Sequence, residues 1–149
     1  MFSPFTNLFV TGSADKTTSI WDMRTGLTVG TYYGHLNTIN DCAFSIGGEY
    51  VATCDADGIV KLWDVRTSQE LWSVDTGDHI AHAIAFDRAT KTLAVGSNDN
   101  EIKLINIQKG ELYSSTLKGH DEPVTALYFN HDNTALYSAS NDGTVRIWK

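Results

Sequence analysis

The feature that most constrains the fold is a pair of landmarks that recur along the chain at an almost constant interval. An aromatic landmark recurs at intervals of 42, 42 and 43 residues, at Phe2, Phe44, Phe86 and Phe129. A second landmark, usually Trp, keeps the same intervals, at Trp21, Trp63, Ile105 and Trp148. A fixed period in this range indicates a repeat protein, in which each repeat is one supersecondary unit. The 149 residues are therefore read as successive repeats.

The second repeat shows what one unit contains. Apolar residues follow strand-like patterns over 39–44, 50–54, 59–64 and 71–74, and turn residues such as Gly47-Gly48 and Asp57-Gly58 lie between these runs. The period of two and the absence of a helical period indicate four short antiparallel strands. Four such strands in a repeat of this length form a blade of a β-propeller. The predicted fold class is all-β, a β-propeller of about three and a half blades.

The predicted blades cover residues 1–33, 34–76, 77–118 and 119–149. The first blade lacks its innermost strand and the fourth ends before its outermost strand, so we expect the chain to be part of a larger propeller of about seven blades. The open faces and strand edges predict completion by further blades of the same polypeptide, by a second copy or by other proteins of a large assembly.

Two Gly-His pairs support a family assignment. Gly34-His35 precedes Trp63-Asp64, and Gly119-His120 precedes Trp148 with the same interval of 28 residues from His to Trp. These motifs resemble the WD-repeat family over the whole chain. The resemblance implies a buried chain of four hydrogen-bonded side chains, here called a tetrad, in each regular blade. In the second blade the tetrad would be Trp63, Thr53, His35 and Asp57. In the fourth it would be Trp148, Ser138, His120 and Asp142. The first blade supplies only Trp21, Thr11 and Asp15.

The chemistry of these side chains agrees with that grouping. An indole N–H only donates, a hydroxyl donates and accepts, a neutral imidazole does both, and a carboxylate accepts. Ser138 with a His and an Asp has the composition of a hydrolase triad, but no exposed nucleophile or oxyanion site accompanies it, which favours a structural role. The sequence therefore predicts no catalytic residue, no cofactor and no metal site.

The third blade departs from the pattern. Ile105 replaces the Trp, Asn106 the following Asp and Val95 the hydroxyl, and only Asp99 remains. We therefore expect this blade to be held by apolar packing alone, without a tetrad.

Composition excludes several classes of function. The 11 basic and 18 acidic residues give a net charge of −7, and no basic run is present, so a nucleic-acid surface is not expected. No signal peptide and no apolar run near eighteen residues occur, so we expect a soluble intracellular protein that does not bind membranes. Cys42 and Cys54 are interpreted as core thiols rather than a disulfide or metal pair.

Partner proteins are expected at the mouth of the central channel, where the inner strands begin. The register places at this rim Thr38, Asn40, Ile80, His82, Pro123 and Thr125, with Asn98 and Asn141 from the turns. Trp72 on an outer strand is a candidate for side contacts, because aromatic residues are enriched in interface hot spots. The alternative is that the rim positions are ordinary solvated loops and that Trp72 is half-buried between blades.

Several runs resemble a narrower group. Residues 12–17 (GSADKT), 54–58 (CDADG), 60–64 (VKLWD) and 144–148 (TVRIW) are similar to the C-terminal half of the sperm-associated, axonemal WD-repeat proteins of the central apparatus. This resemblance implies a scaffold in the cytoskeleton of motile cilia and flagella, with axonemal proteins as partners. The alternative is a soluble adaptor of a ubiquitin-ligase, chromatin or signalling complex, and an enzyme is a distant third.

Overall fold

The computed structural model describes all residues from Met1 to Lys149, and these form strands and turns without a helix. Fifteen strands make four antiparallel sheets that follow one another along the chain. The prediction of an all-β fold with successive blades is therefore confirmed. No helix long and apolar enough to cross a membrane is present.

Each sheet is a meander of consecutive strands. The first contains β1 (Leu8–Gly12), β2 (Thr18–Asp22) and β3 (Thr28–Tyr32). The second contains β4 (Ile39–Phe44), β5 (Tyr50–Asp55), β6 (Ile59–Asp64) and β7 (Gln69–Asp75). The third contains β8 (Ala81–Phe86), β9 (Thr92–Ser97), β10 (Glu101–Asn106), β11 (Glu111–Leu112) and β12 (Leu117–Lys118). The fourth contains β13 (Val124–Phe129), β14 (Leu136–Ser140) and β15 (Val145–Trp148).

The third sheet has one strand more than a four-stranded blade because its outer strand is divided. Both β11 and β12 pair with β10, one near each of its ends.

The first sheet also differs from the prediction, since its innermost position is not wholly missing. Phe2 forms a bridge with Phe9, which repeats the pairing of Phe44 with Val51 in the second sheet.

The hydrophobic core consists of clusters that are each shared by two successive sheets. Val10, Ile20 and Tyr32 of the first sheet pack with Phe44 and Val51 of the second. The second and third sheets share a larger cluster, and the third and fourth share a smaller one. The central strands β5 and β9 therefore bury side chains on both faces, as the stacking of propeller blades requires.

The two cysteines lie on opposite faces of the second sheet. The thiol of Cys42 faces the carbonyl of Val10 in the first blade, and that of Cys54 faces the carbonyl of Ala81 in the third. Both are free and buried, and burial raises the pKa of both thiols. They are core residues of two different blade interfaces, which the strand period of two explains.

Candidate functional site

The fourth blade contains the complete tetrad. The indole N–H of Trp148 donates to the Ser138 hydroxyl at 2.9 Å, and His120 Nε2 lies 2.7 Å from the same oxygen. His120 Nδ1 lies 2.9 Å from a carboxylate oxygen of Asp142. The hydroxyl of Thr144 also donates to Asp142 at 2.6 Å. The hydrogen bond from Thr144 is the main cause that holds the pKa of the Asp142 carboxyl well below its usual range, and the hydrogen bond from His120 adds to this effect.

In the second blade the prediction of Asp57 is wrong. Trp63 donates to Thr53 at 2.9 Å and His35 Nε2 lies 2.6 Å from the Thr53 hydroxyl, but Nδ1 of His35 contacts Asp55, at 2.7 Å. Asp57 is exposed and accepts instead from the side-chain amide of Asn37. The carboxylate of this tetrad is therefore displaced by two residues towards the N-terminus.

Two differences between the turns explain the displacement. Asp55 stands at the position that Ser140 has in the fourth blade, so a carboxylate replaces a hydroxyl. It accepts from the backbone N–H of Asp57, as the Ser140 hydroxyl accepts from that of Asp142, and it also reaches His35. The threonine of the fourth-blade turn is replaced by Ile59, so Asp57 has no hydroxyl donor beside it. The sequence carried the signal in this pair of replacements.

The third blade is not held by apolar packing alone, so the expectation from its sequence is wrong on this point. Lys103 forms an ion pair with Asp99 and donates to the carbonyl of Thr76 at 2.6 Å. The position of the missing histidine is Gly77, and the Lys103 ammonium lies 3.7 Å from the point where a Cβ of that residue would be. The ammonium of Lys103, from β10, thus lies beside the position of the missing histidine and contacts Asp99, the one residue of the tetrad pattern that this blade keeps.

The first blade has only part of the arrangement. Trp21 donates to the Thr11 hydroxyl at 2.9 Å. Asp15 accepts from the hydroxyl and the backbone N–H of Thr17 within its own turn, and these bonds lower the pKa of Asp15. The three predicted side chains therefore form two separate groups.

The tetrad of the second blade is closed to solvent, which limits its chemistry. The side chains of His35 and Asp55 are each 1% exposed. Burial lowers the pKa of His35 although Asp55 opposes this effect, so the imidazole resists protonation. A histidine without access to a substrate serves to join strands rather than to transfer protons.

Acidification should therefore destabilise the protein through His35. Below the ordinary histidine pKa of about 6.5, His35 is protonated in the unfolded chain but stays neutral in the folded protein, where its pKa is lowered. Stability that is present above that pH is lost as the pH falls, so the free energy of unfolding should decrease between pH 7.5 and pH 5.5. Urea denaturation across this range measures the change. His35→Gln should be less stable and less pH-dependent, whereas a wild-type protein that becomes more stable on acidification contradicts the assignment.

The predicted rim residues lie where the inner strands of their blades begin. The ladders between the first and second strands shift register at Asn40, His82 and Thr125, each of which is the unpaired residue of a β-bulge. The turn between the second and third strands of each of these blades is bonded to the residue just before the inner strand. The backbone N–H groups of Ala56, Asn98 and Asn141 donate to the carbonyls of Thr38, Ile80 and Pro123, respectively. Asn40 also donates to the carbonyl of Ala81 at 2.9 Å, which joins the rims of the second and third blades.

A second contact fixes the same pair of blades just inside the rim. The carboxylate of Asp41 accepts from the backbone N–H of Ile84 at 3.0 Å and from that of Cys42 at 2.8 Å. Burial raises the pKa of Asp41. The repeat pattern does not identify Asp41 as a contact residue, because its partner Ile84 is in another repeat.

Trp72 is not a free side surface, which corrects that prediction. Its side chain is half-buried against the core between the second and third blades, and its indole N–H donates to the carbonyl of Ile107 at 2.8 Å. Trp72 therefore joins two blades, as the alternative interpretation held.

Comparisons with known proteins give two family matches. The WD domain, G-beta repeat model matches residues 1–22, 26–64 and 112–149, which is most of the chain. The Anaphase-promoting complex subunit 4 WD40 domain model matches residues 66–118.

Curated relatives match nearly the whole chain at moderate identity. The nuclear distribution protein PAC1 of Arthroderma otae is 30% identical over 95% of this chain. The U3 small nucleolar RNA-associated protein 15 homolog of Xenopus laevis is 29% identical over 93%, and the guanine nucleotide-binding protein subunit beta of Oryza sativa is 29% identical over 98%. The chain spans 35%, 27% and 41% of the lengths of these relatives.

Proposed function

The chain belongs to the WD-repeat family, and from that premise we propose that it is a non-enzymatic scaffold whose channel rim binds partner proteins. The buried tetrads hold the strands of the second and fourth blades, and the rim is the contact surface. No catalytic step is assigned to any residue.

The observation that carries this proposal is the repeated β-bulge. Three successive blades place a polar residue outside the strand ladder at the same point, and these residues are Asn40, His82 and Thr125. A bulge leaves one residue unpaired and changes the direction of its side chain, and bulges are over-represented at barrel rims and beside functional sites. Asn98 supports the same surface, since its side chain lies 3.3 Å from His82. The rim thus offers amide, imidazole and hydroxyl groups to a ligand.

The charge of the chain favours a protein ligand. Its balance of −7 opposes binding to the phosphate backbone of a nucleic acid, which requires clustered Lys and Arg. Neutral polar groups such as those of the rim form hydrogen bonds with the backbone and side chains of a protein partner.

For the cellular setting we propose the central apparatus of motile cilia and flagella, with axonemal proteins as partners. This proposal is supported by the similarity of the sequence runs at 12–17, 54–58 and 60–64 to axonemal WD-repeat proteins. None of the three relatives named above is described by its name as a ciliary protein. A soluble adaptor is the competing assignment.

Co-sedimentation with isolated axonemes tests both parts of the proposal. The wild-type chain should pellet with axonemes and not alone. The double variant His82→Ala with Asn98→Ala should bind about tenfold more weakly, because both side chains lie at the rim and contribute polar contacts. The matched control is His131→Ala with Asp132→Ala, a pair of neighbouring exposed residues outside the rim, and it should bind as the wild type does.

The outcomes separate the setting from the surface. A chain that stays in the supernatant, in a soluble complex, contradicts the axonemal setting. If the rim variant and the control bind a partner equally well, the rim is not the contact surface.

A further inference from the structure

The loop between β3 and β4 carries the most exposed large apolar side chain of the protein. Leu36 of this loop is 82% exposed, and Tyr33 of the same loop is 74% exposed. The loop joins the first blade to the second and leads directly into Thr38 and Asn40 of the rim. Single exposed leucines are common on protein surfaces, so the meaning of Leu36 depends on how it is held and on what surrounds it.

The backbone on both sides of Leu36 is fixed by buried contacts or hydrogen bonds. On one side, His35 is buried in the tetrad of its blade. On the other side, the side-chain amide of Asn37 donates to Asp57 at 2.7 Å, and its oxygen accepts from the backbone N–H of Thr38 at 2.8 Å. A leucine that is already held in place in solvent can be covered by a partner at little cost in conformational entropy of the loop.

The third and fourth blades carry an acid at the point where the second blade has Leu36. Asp121 follows the tetrad histidine of the fourth blade, as Leu36 follows that of the second. Asp78 follows Gly77, which has the position of the missing histidine. Both aspartates are exposed. Three successive blades therefore present one leucine and two carboxylates at equivalent points of the same end of the molecule.

The loops at this end of the blades are acidic as a whole. They are residues 13–17, 33–38, 56–58, 76–80, 98–100, 119–123 and 141–144. Lys16 is their only lysine or arginine, and their carboxylates are those of Asp15, Asp57, Asp78, Asp99, Asp121, Glu122 and Asp142. Asp99 is paired with Lys103 and Asp142 with His120, whereas the other carboxylates form no ion pair. The rim end therefore carries uncompensated negative charge, which attracts a positively charged partner.

We propose that the rim end binds a segment of a partner protein in which a large apolar side chain is flanked by lysine or arginine. The apolar side chain packs on Leu36, and the cations face the carboxylates of Asp57, Asp78 and Asp121. This inference rests on the proposed function, because it names the chemistry of the partner that the rim takes. A second copy is the less suitable occupant, because each chain has a net charge of −7 and two copies repel each other.

Selection from a library of random peptides displayed on phage tests the chemistry of this partner. The wild-type protein should enrich peptides in which a large apolar residue is flanked by Lys or Arg. In a synthetic copy of an enriched peptide, replacing that apolar residue with Ser, or its cations with Glu, should weaken binding at least about tenfold in fluorescence anisotropy. Enrichment of acidic peptides, or of no peptide, overturns the proposal.

A leucine variant locates the apolar contact. Leu36→Asp, which gives the second blade the acid of the fourth, should weaken binding of the enriched peptide at least about tenfold. Its matched control is Leu27→Asp, which makes the same change at a leucine that is 68% exposed at the opposite end of its blade. The control should bind as the wild type does, and equal losses in the two variants overturn the assignment to Leu36.

A pair of charge reversals locates the contact of the cations. Asp78→Lys with Asp121→Lys should weaken binding of the same peptide at least about tenfold, because the cations of the peptide then meet lysines. Glu49→Lys with Glu111→Lys is the matched control, since it makes the same change of net charge at exposed acids of the opposite end. It should weaken binding less than about threefold, and equal losses contradict the proposed contact.

The outcomes separate this inference from the proposed function. Circular dichroism confirms that each variant is folded, and Leu36→Ser replaces Leu36→Asp if the latter fails to fold. If His82→Ala with Asn98→Ala weakens peptide binding and the Leu36 variant does not, the rim is the contact surface and the inference about its partner is wrong. If neither weakens it, both are wrong. A wild-type dimer in sedimentation that dissociates in the Leu36 variant also overturns the inference, because a second copy then covers Leu36.

Discussion

Replacing Asp55 with Ala should lower the free energy of unfolding by about 3 kcal/mol, whereas Asp57→Ala should change it by about 0.5 kcal/mol or less. The Asp55 carboxylate is buried and accepts three hydrogen bonds, from His35 and from the backbone N–H groups of Asp57 and Ile59. Its removal leaves a buried imidazole and two backbone donors without partners. Asp57 loses a single exposed bond with Asn37, which water replaces.

Urea denaturation of the two variants under identical conditions measures this difference. Asp142→Ala is a useful third variant, because its carboxylate is the contact of His120 in the fourth blade. It should also be destabilised. The assignment of the second tetrad is wrong if Asp57→Ala proves the more damaging of the two second-blade changes.

Replacing Lys103 with Met should lower the free energy of unfolding by about 2 kcal/mol, because methionine keeps the volume of the stem and removes the charge. Asp99 then loses its ion pair and the carbonyl of Thr76 loses its donor. Lys61→Met is the matched control at the equivalent position of the second blade. Its partner Glu70 is 35% exposed and turns to water when the lysine is removed, so we expect less than about 1 kcal/mol.

A double-mutant cycle identifies the source of the effect. If Lys103→Met is destabilising because it leaves the Asp99 carboxylate without its ion-pair partner, then adding Asp99→Asn should restore part of the stability. The free-energy effects of mutations at two contacting residues are not additive. Thermal or urea denaturation of the single and double variants gives the coupling free energy. Equal losses for Lys103→Met and Lys61→Met, without coupling to Asp99, contradict the view that this lysine replaces the missing histidine.

The tetrads show how far motif spacing alone identifies contacts. In the fourth blade the residues at the expected spacing are those that meet in the structure, because its turn retains both Ser140 and Thr144. In the second blade the same spacing pointed to Asp57, and the carboxylate of Asp55 reaches His35 instead. Spacing identifies which residues lie near a histidine, but a hydrogen bond depends on the side chains that compete for it. Here an aspartate in place of a serine changed the partner.

The third blade and Trp72 show a second limit, which is side-chain reach. Lys103 is on a strand that the motif does not associate with the histidine position, and its long stem places the ammonium beside Gly77. Trp72 was placed correctly on an outer strand, yet its indole crosses to the next blade and contacts Ile107. Both contacts join residues whose relation is visible only when strands and blades are packed together.

The sequence by itself determined the all-β fold, the succession of blades and the places where the inner strands begin. These follow from patterns that are local along the chain: a 42-residue period sets the unit, and alternation with turn residues sets the strands within it. Only the tertiary structure decided which carboxylate meets His35, which cation contacts Asp99 in the third blade, and which blade the indole of Trp72 reaches. Those outcomes depend on distances between side chains from different strands and blades, and the packing of the sheets fixes these distances.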